Sequence, residues 1–259
     1  MPANRMDVTL STGTLPYFVL GDGRPLLYLH AAGGPQFTPF LEGLAQNHRV
    51  FVPIAPGFEG TAQHSGIETV PQLARLAAEF AQKVIGQPCD VIGHSFGGWV
   101  ALWLALGHSD CVDHLVLEAP SGLRFGATPT PRNPDELRRK LYAYPEKAKP
   151  FLKSPEIANA NAEAFARYQG GTLVDETLLA RLSELKARTL IVLAGRDELI
   201  PAKAGQVLKQ HIPFSHLAYV YDAAHGIEVD QPERLLRLVK AFLERGEAYI
   251  VNFGDEAAA

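Results

Sequence analysis

The sequence predicts an α/β fold: a mostly parallel, twisted sheet flanked by helices, with one helical insertion. Three observations carry this. Short apolar runs alternate with helical patterns along most of the 259 residues, as in a sheet covered on both faces. The alternation stops between residues 121 and 188 and then resumes. At "DVIGHSFGGWVALWLAL" an apolar run passes straight into an apolar helix through a serine flanked by Gly93, Gly97 and Gly98, which marks a sharp strand-to-helix corner.

The first thirty residues hold three strand candidates, "DVTLS", "LPYFVLG" and "PLLYLH", with Gly21-Asp22-Gly23 as a hairpin-type turn signal. "HRVFVPIAP" is the next apolar run and ends in loop chemistry. "VPQLARLAAEFAQKVIG" spaces Leu73, Leu76, Ala77, Phe80 and Val84 at helical intervals, predicting an amphipathic helix stopped by Gly86. "CDVIGHS" follows as a short buried strand, "GGWVALWLALG" as a mostly buried helix and "VDHLVLEAP" as another strand.

From Ser121 to Arg188 the chain is polar and carries Pro129, Pro131, Pro134, Pro145, Pro150 and Pro155. It shows only short helical patterns, such as "DELRRKLYAY" and "PEIANANAEAFARYQ", and is longer than an ordinary connection. "ARTLIVLAGRDE", "KAGQVLKQHI", "HLAYVYDAAH" and "PERLLRLVKAFLER" then restore strand, helix, strand and helix, and "GDEAAA" reads as a frayed tail. The expected organisation is a sheet domain of residues 1–120 and 189–259 with a helical cap of residues 121–188. No internal repeat is visible.

Composition is that of a soluble globular chain: 47% hydrophobic, 20% charged, formal net charge −4. No basic excess recruits nucleic acid. "MPANRMDVTLSTG" lacks an apolar signal core, and no run of about 18 apolar residues is present to span a bilayer, so a cytoplasmic location without membrane contact is expected. Cys89 and Cys111 sit in or beside strand-like segments and read as small buried residues.

Gly93-His94-Ser95-Phe96-Gly97 fits G-x-S-x-G in the strand–turn–helix context this pattern needs. The tight corner strains the serine backbone, and side chains at the flanking glycines would collide with neighbouring backbone. The hydroxyl then stands at a helix N-terminus, where N–H groups favour developing negative charge. A serine attacks only if a base takes its proton and an acid orients that base. Of the nine histidines, His225 follows the last strand, at the edge of the sheet that carries Ser95. His48, His114, His211 and His216 fall at the opposite edge and His108 at a helix end, where solvated or capping roles are expected. No histidine pair has metal-ligand spacing, so neither a metal nor a cofactor is expected.

Asp197, just past the end of a strand in "AGRDELIP", is the leading candidate acid, with Glu198 pointing away. Glu118, at the end of "HLVLEAP", is the second candidate, while Asp222 reads as still on its strand. Two N–H donors must face the oxyanion. One is that of Phe96, after the serine, and the other comes from the small-residue loop "HAAGGP".

The order of strand–"HAAGG", strand–"GHSFGG", insertion, strand–"GRDELIP" and strand–"AAHGIEVDQPE" resembles the α/β-hydrolase family, over nearly all the chain outside the insertion. The resemblance implies Ser95 as nucleophile, His225 as general base and acid, and Asp197 as orienter. By position in the family's H-G-x pattern it also implies the Ala32 N–H as second oxyanion donor. Two departures stand out. Ala31 replaces the usual glycine, and "IAPGFEGT" lacks the family's frequent aspartate and adds Glu59; that segment is read as structural.

Relatives that are haloalkane dehalogenases or epoxide hydrolases use aspartate in place of Ser95, and carbon–carbon hydrolases often carry tryptophan where Gly226 follows His225. The expectation is a cofactor-free serine esterase acting on small or medium carboxylic esters. A carbon–carbon hydrolase or lyase on the same triad is the alternative, and a non-catalytic ligand receptor the alternative from another class. Basic residues between Arg124 and Lys153 read first as a solvated face of the cap and second as steering for acidic substrates. Phe125, Leu141, Tyr142, Tyr144, Phe151, Phe165 and Tyr168 read first as anchors of the cap to its domain and second as lining of an acyl pocket, and none is singled out as a binding residue.

Overall fold

Apolar runs that are continuous rather than alternating become the middle of the sheet, because helices cover both of their faces. The structure is a computed structural model that describes residues 3–126 and 134–246. Pro129, Pro131, Arg132 and the "GDEAAA" tail lie outside those residues. The strands are β1 (Asn4–Leu10), β2 (Gly13–Leu20), β3 (Arg24–Leu29), β4 (His48–Pro53), β5 (Cys89–His94), β6 (Val112–Glu118), β7 (Arg188–Ala194) and β8 (Ser215–Val220). They form one sheet in the order β1-β2-β4-β3-β5-β6-β7-β8. β1 and β2 pair antiparallel, as does β2 with β4, and every pairing from β4 to β8 is parallel. The chain leaves β3 for β4 on one side and resumes with β5 on the other. That reversal opens a crevice at the C-terminal strand ends.

Helices α2 (Val70–Phe80) and α3 (Phe96–Gly107) cover one face of the sheet; α1 (Pro39–Leu44) and α9 (Pro232–Arg245) cover the other. Thr69 and Gln72 cap α2 reciprocally. After α2 the chain makes a π-helical turn, Ala81–Ile85, and Gly86 ends it at φ 74°, where the sequence places the stop. α3 is apolar on all sides and buried from Phe96 to Ala105, since the sheet lies beneath it and α2 beside it.

The insertion between β6 and β7 is helical, with α4 (Pro134–Leu141), α5 (Pro155–Gln169) and α6 (Glu176–Arg181); its one isolated β-bridge among the described residues joins Leu123 and Val174. It is tied to the sheet domain at separate points. Both tryptophan N–H groups of α3, from Trp99 and Trp103, donate to Asp175 at 2.9 Å. The Tyr168 hydroxyl donates to Pro56 O at 3.0 Å, and Phe165 and Tyr168 pack on Phe96. Both aromatics thus join the insertion to the sheet domain. α7 (Ala202–His211) and a four-residue α8 (Ile227–Asp230) complete the helices. No helix among the described residues is long and apolar enough to cross a membrane.

Candidate active site

The three glycines around Ser95 mark contacts between backbones. A Cβ on Gly93 would fall 2.4 Å from Gly97 O, and one on Gly97 only 1.9 Å from Leu29 O, so any side chain there forces strand and helix apart. Ser95 itself sits at φ 52°, ψ −110°, a costly conformation for a residue with a Cβ. The surroundings hold it there: Ser95 N donates to Glu118 O at 2.8 Å, and Ser121 N donates to Ser95 O at 2.9 Å.

His225 lies in the loop after β8. Its Nε2 is 2.8 Å from Ser95 Oγ and its Nδ1 is 2.9 Å from Asp197 Oδ2. The other Asp197 oxygen accepts the N–H groups of Leu199 at 2.7 Å and Ile200 at 2.9 Å, which fixes the carboxylate plane. Burial alone would raise the Asp197 carboxyl. The facing His225, its hydrogen bond and the Ile200 and Leu199 amides outweigh burial and hold the group below its ordinary value, ionised at neutral pH.

The loop "HAAGGP" leaves β3 beside this group. Ala55 N–H donates to His30 Nε2 at 3.1 Å, so the His30 proton is on Nδ1, which donates to Ala31 O at 2.8 Å. Burial drives His30 down to about 4, keeping the ring neutral for both bonds. Ala31 O also accepts Gly34 N–H at 3.0 Å. In a trans peptide the C=O and N–H point opposite ways, so fixing Ala31 O fixes the direction of the Ala32 N–H.

Residues 26–238 match the profile described as "Alpha/beta hydrolase family". The chain belongs to that family. Its relatives include the 2-hydroxymuconate semialdehyde hydrolase of Pseudomonas putida, 28% identical with 88% of this chain and 90% of that one covered. A pimeloyl-[acyl-carrier protein] methyl ester esterase of Neisseria meningitidis is 25% identical, covering 79% and 92%. Among solved structures, a serine hydrolase involved in carbazole degradation shares the fold with a TM-score of 0.79 at 19% identity, over 94% of this chain and 99% of that one.

Within this α/β-hydrolase frame the other candidates separate by side-chain parity. Along β6, Leu115 and Leu117 face α2 and α3, whereas Val116 faces α1 and α9; Glu118 follows Val116. Glu118 is fully buried and does not bond His225; it faces Glu228 of α8. The Glu228 carboxylate accepts from the Tyr28 hydroxyl and from Thr38 Oγ1, the latter at 3.0 Å. Burial, and then the neighbouring Glu228, push Glu118 well above a normal carboxyl. Burial pushes Glu228 up as well, against the donors that favour its charge. Burial and the acidic neighbour therefore favour the protonated form of Glu118, whose two buried oxygens have no hydrogen-bond partner among the described residues. His94, Glu118 and Glu228 bring ligand-type atoms within 4.8 Å of one another, a grouping that histidine spacing in the sequence did not disclose.

His94 donates from Nε2 to the carbonyl of His225 at 3.2 Å and is pushed down to about 3, by burial first and the His225 charge second. Asp230 holds the same loop from its other side, accepting the N–H groups of Ala224 at 2.8 Å and, from the insertion, Ala143 at 2.8 Å and Tyr144 at 3.1 Å. Neither contact was legible in the sequence. Glu198 is exposed and pairs with Lys140, as expected of a residue pointing away. Asp222 lies beyond β8 rather than on it, at φ 60°, bound to Arg196. His48 and His114 fall at the opposite edge as expected, but they are not solvated: both approach the buried Asp90, His114 at 2.9 Å and His48 at 4.0 Å.

Proposed function

We propose that the chain is a serine hydrolase that cleaves small or medium carboxylic esters through an acyl-enzyme, with residues 121–188 as a cap over the site. The observation that carries this reading is the continuous line from Ser95 Oγ through both His225 nitrogens to Asp197, on a serine held at φ 52°. With Nδ1–H donated to Asp197, Nε2 is unprotonated and takes the Ser95 proton as Oγ attacks the ester carbon. The former carbonyl oxygen gains the negative charge and is met by the N–H groups of Phe96 and Ala32. Collapse expels the alcohol, which receives the proton from Nε2. Water then attacks the acyl-Ser95 ester by the same transfers, and the acid leaves. Ionised Asp197 stabilises the imidazolium in both halves.

A fluorophosphonate tests this without knowledge of the substrate, because it reports only on an activated serine. A single adduct mapping to Ser95, absent from His225→Ala, is the expected result and opens an ester screen by acyl length. No adduct on folded protein would sink the reading and favour a ligand receptor.

A second reading, hydrolysis of a carbon–carbon bond by the same three residues, draws support from the likeness to the 2-hydroxymuconate semialdehyde hydrolase. Gly226 weighs against it. A Cβ there would fall 2.5 Å from the Tyr142 ring, and Gly226 N–H donates to Leu141 O at 2.7 Å, so this chain has no room for the tryptophan that such hydrolases often carry. Product analysis with a diketone substrate separates the two.

A further inference from the structure

Glu59, the addition to "IAPGFEGT", stands at φ 54°, ψ 29°, a left-handed conformation that costs a side-chain-bearing residue on the order of 1 kcal/mol. Its carboxylate is nevertheless fully engaged. Oε1 accepts from Asn161 Nδ2 at 2.9 Å and Oε2 from Lys153 Nζ at 2.8 Å, while the Glu59 N–H donates to Asn161 Oδ1 at 2.7 Å. Both partners belong to the insertion, and Asn161 is 1% exposed. Each also reaches past Glu59 to the loop after β3: Asn161 Nδ2 donates to Gly33 O at 2.9 Å, and Lys153 Nζ donates to Pro35 O at 2.9 Å. The carboxylate is lodged against that loop. Gly34 has φ 81°, and a Cβ on it would fall 2.1 Å from Glu59 Oε1 and 2.8 Å from Asn161 Nδ2.

The loop is therefore held from two sides. His30 fixes Ala31 O on one side of Ala32, and the insertion fixes Gly33 O and Pro35 O on the other. Holding the insertion down does not require this second tie, since Asp175, Tyr168 and Asp230 already join it to the sheet domain elsewhere. A partly exposed ion pair adds about 1 kcal/mol or less to stability. What it adds here is direction, because each of its two carboxylate oxygens accepts from a different one of these donors.

We propose that Glu59, Lys153 and Asn161 are positioning residues. They lock the 32–35 loop, and with it the Ala32 N–H, into place when the insertion is seated. This rests on the oxyanion role assigned to Ala32 above. The charges must also balance. Glu59 alone would add a negative charge against the loop that carries Ala32, and Lys153 offsets it; both act on the neighbouring buried His30, in opposite senses.

Two readouts test the latch, one of them independent of turnover. In a Ser95→Ala background, Glu59→Gln should raise amide hydrogen exchange in the 31–36 segment, because the new NH2 confronts one of the two donors. With Ser95 present, the same change should slow phosphonylation of Ser95 roughly tenfold, and lower kcat alike while KM stays within about twofold, since a donor aimed at the transition state is displaced. Lys153→Met is the second variant. Combined with Glu59→Gln it should cost no more than the worse single change, because the two act as one unit. Unchanged exchange, raised exchange with unchanged phosphonylation, or additive losses would each overturn the proposal. If the unaltered protein is not labelled at Ser95, the hydrolase reading falls, and exchange alone still decides whether Glu59 holds the loop.

Discussion

Asp197→Asn should lower kcat by about 10⁴-fold with KM and melting temperature nearly unchanged. The reason lies in what surrounds the carboxylate. Asp197 Oδ1 accepts two backbone N–H groups, from Leu199 and Ile200, so an asparagine keeps its carbonyl oxygen there and turns its NH2 toward His225. His225 Nδ1, now facing a donor, must become an acceptor, and the ring proton moves to Nε2, opposite Ser95 Oγ. The imidazole is then in the wrong tautomer to take the serine proton. The rate of Ser95 phosphonylation is the measurement, beside a thermal melt. A loss of less than tenfold in a fully folded variant would remove Asp197 as orienter.

The sequence discloses this site because its requirements are local. The elbow compresses a strained serine, two backbone contacts and a helix N-terminus into Gly93–Gly98, and a residue just past an apolar run must lie at the strand's end. His225 and Asp197 were legible for that reason. Short elements were not: α1, α6 and α8 have six residues or fewer, too few turns to show a period. Nor were contacts between distant segments. Glu59 meets Asn161 across 102 positions and Asp230 meets Ala143 across 87, and nothing near either acid names its partner. Glu118 is the instructive middle case. Its place at the edge was right, but parity along β6 turns it to the face of Val116, away from the acid's position. Register puts it opposite His94 on β5, and Tyr28 on β3 shares that face, so a buried polar cluster with Glu228 forms there instead.

Buried groups set a pH window for stability. His30 and His94 are buried neutral, at about 4 and about 3 against an ordinary 6.5. Their contribution is complete above pH 6.5 and is lost as pH falls toward those values, because the unfolded chain binds two protons that the folded chain refuses. Glu118 is raised from 4.5, so its contribution is complete below that value and is lost as pH rises toward its folded pKa. Between 4.5 and 6.5 unfolding takes up protons at the two histidines and releases protons held by the buried Glu118–Glu228 pair, so the two effects oppose each other and the acid limb is shallower than the histidines alone would give. Above 6.5 the histidine contribution is complete, only the release remains, and stability falls as pH rises toward the raised Glu118 value. Urea denaturation across this range should therefore show a maximum with a falling limb on each side. In Glu118→Gln the alkaline limb should flatten, because the amide is neutral at every pH and leaves no proton to lose. A wild-type curve flat above 6.5, or an alkaline slope that survives in Glu118→Gln, would show that Glu118 is not buried in its protonated form.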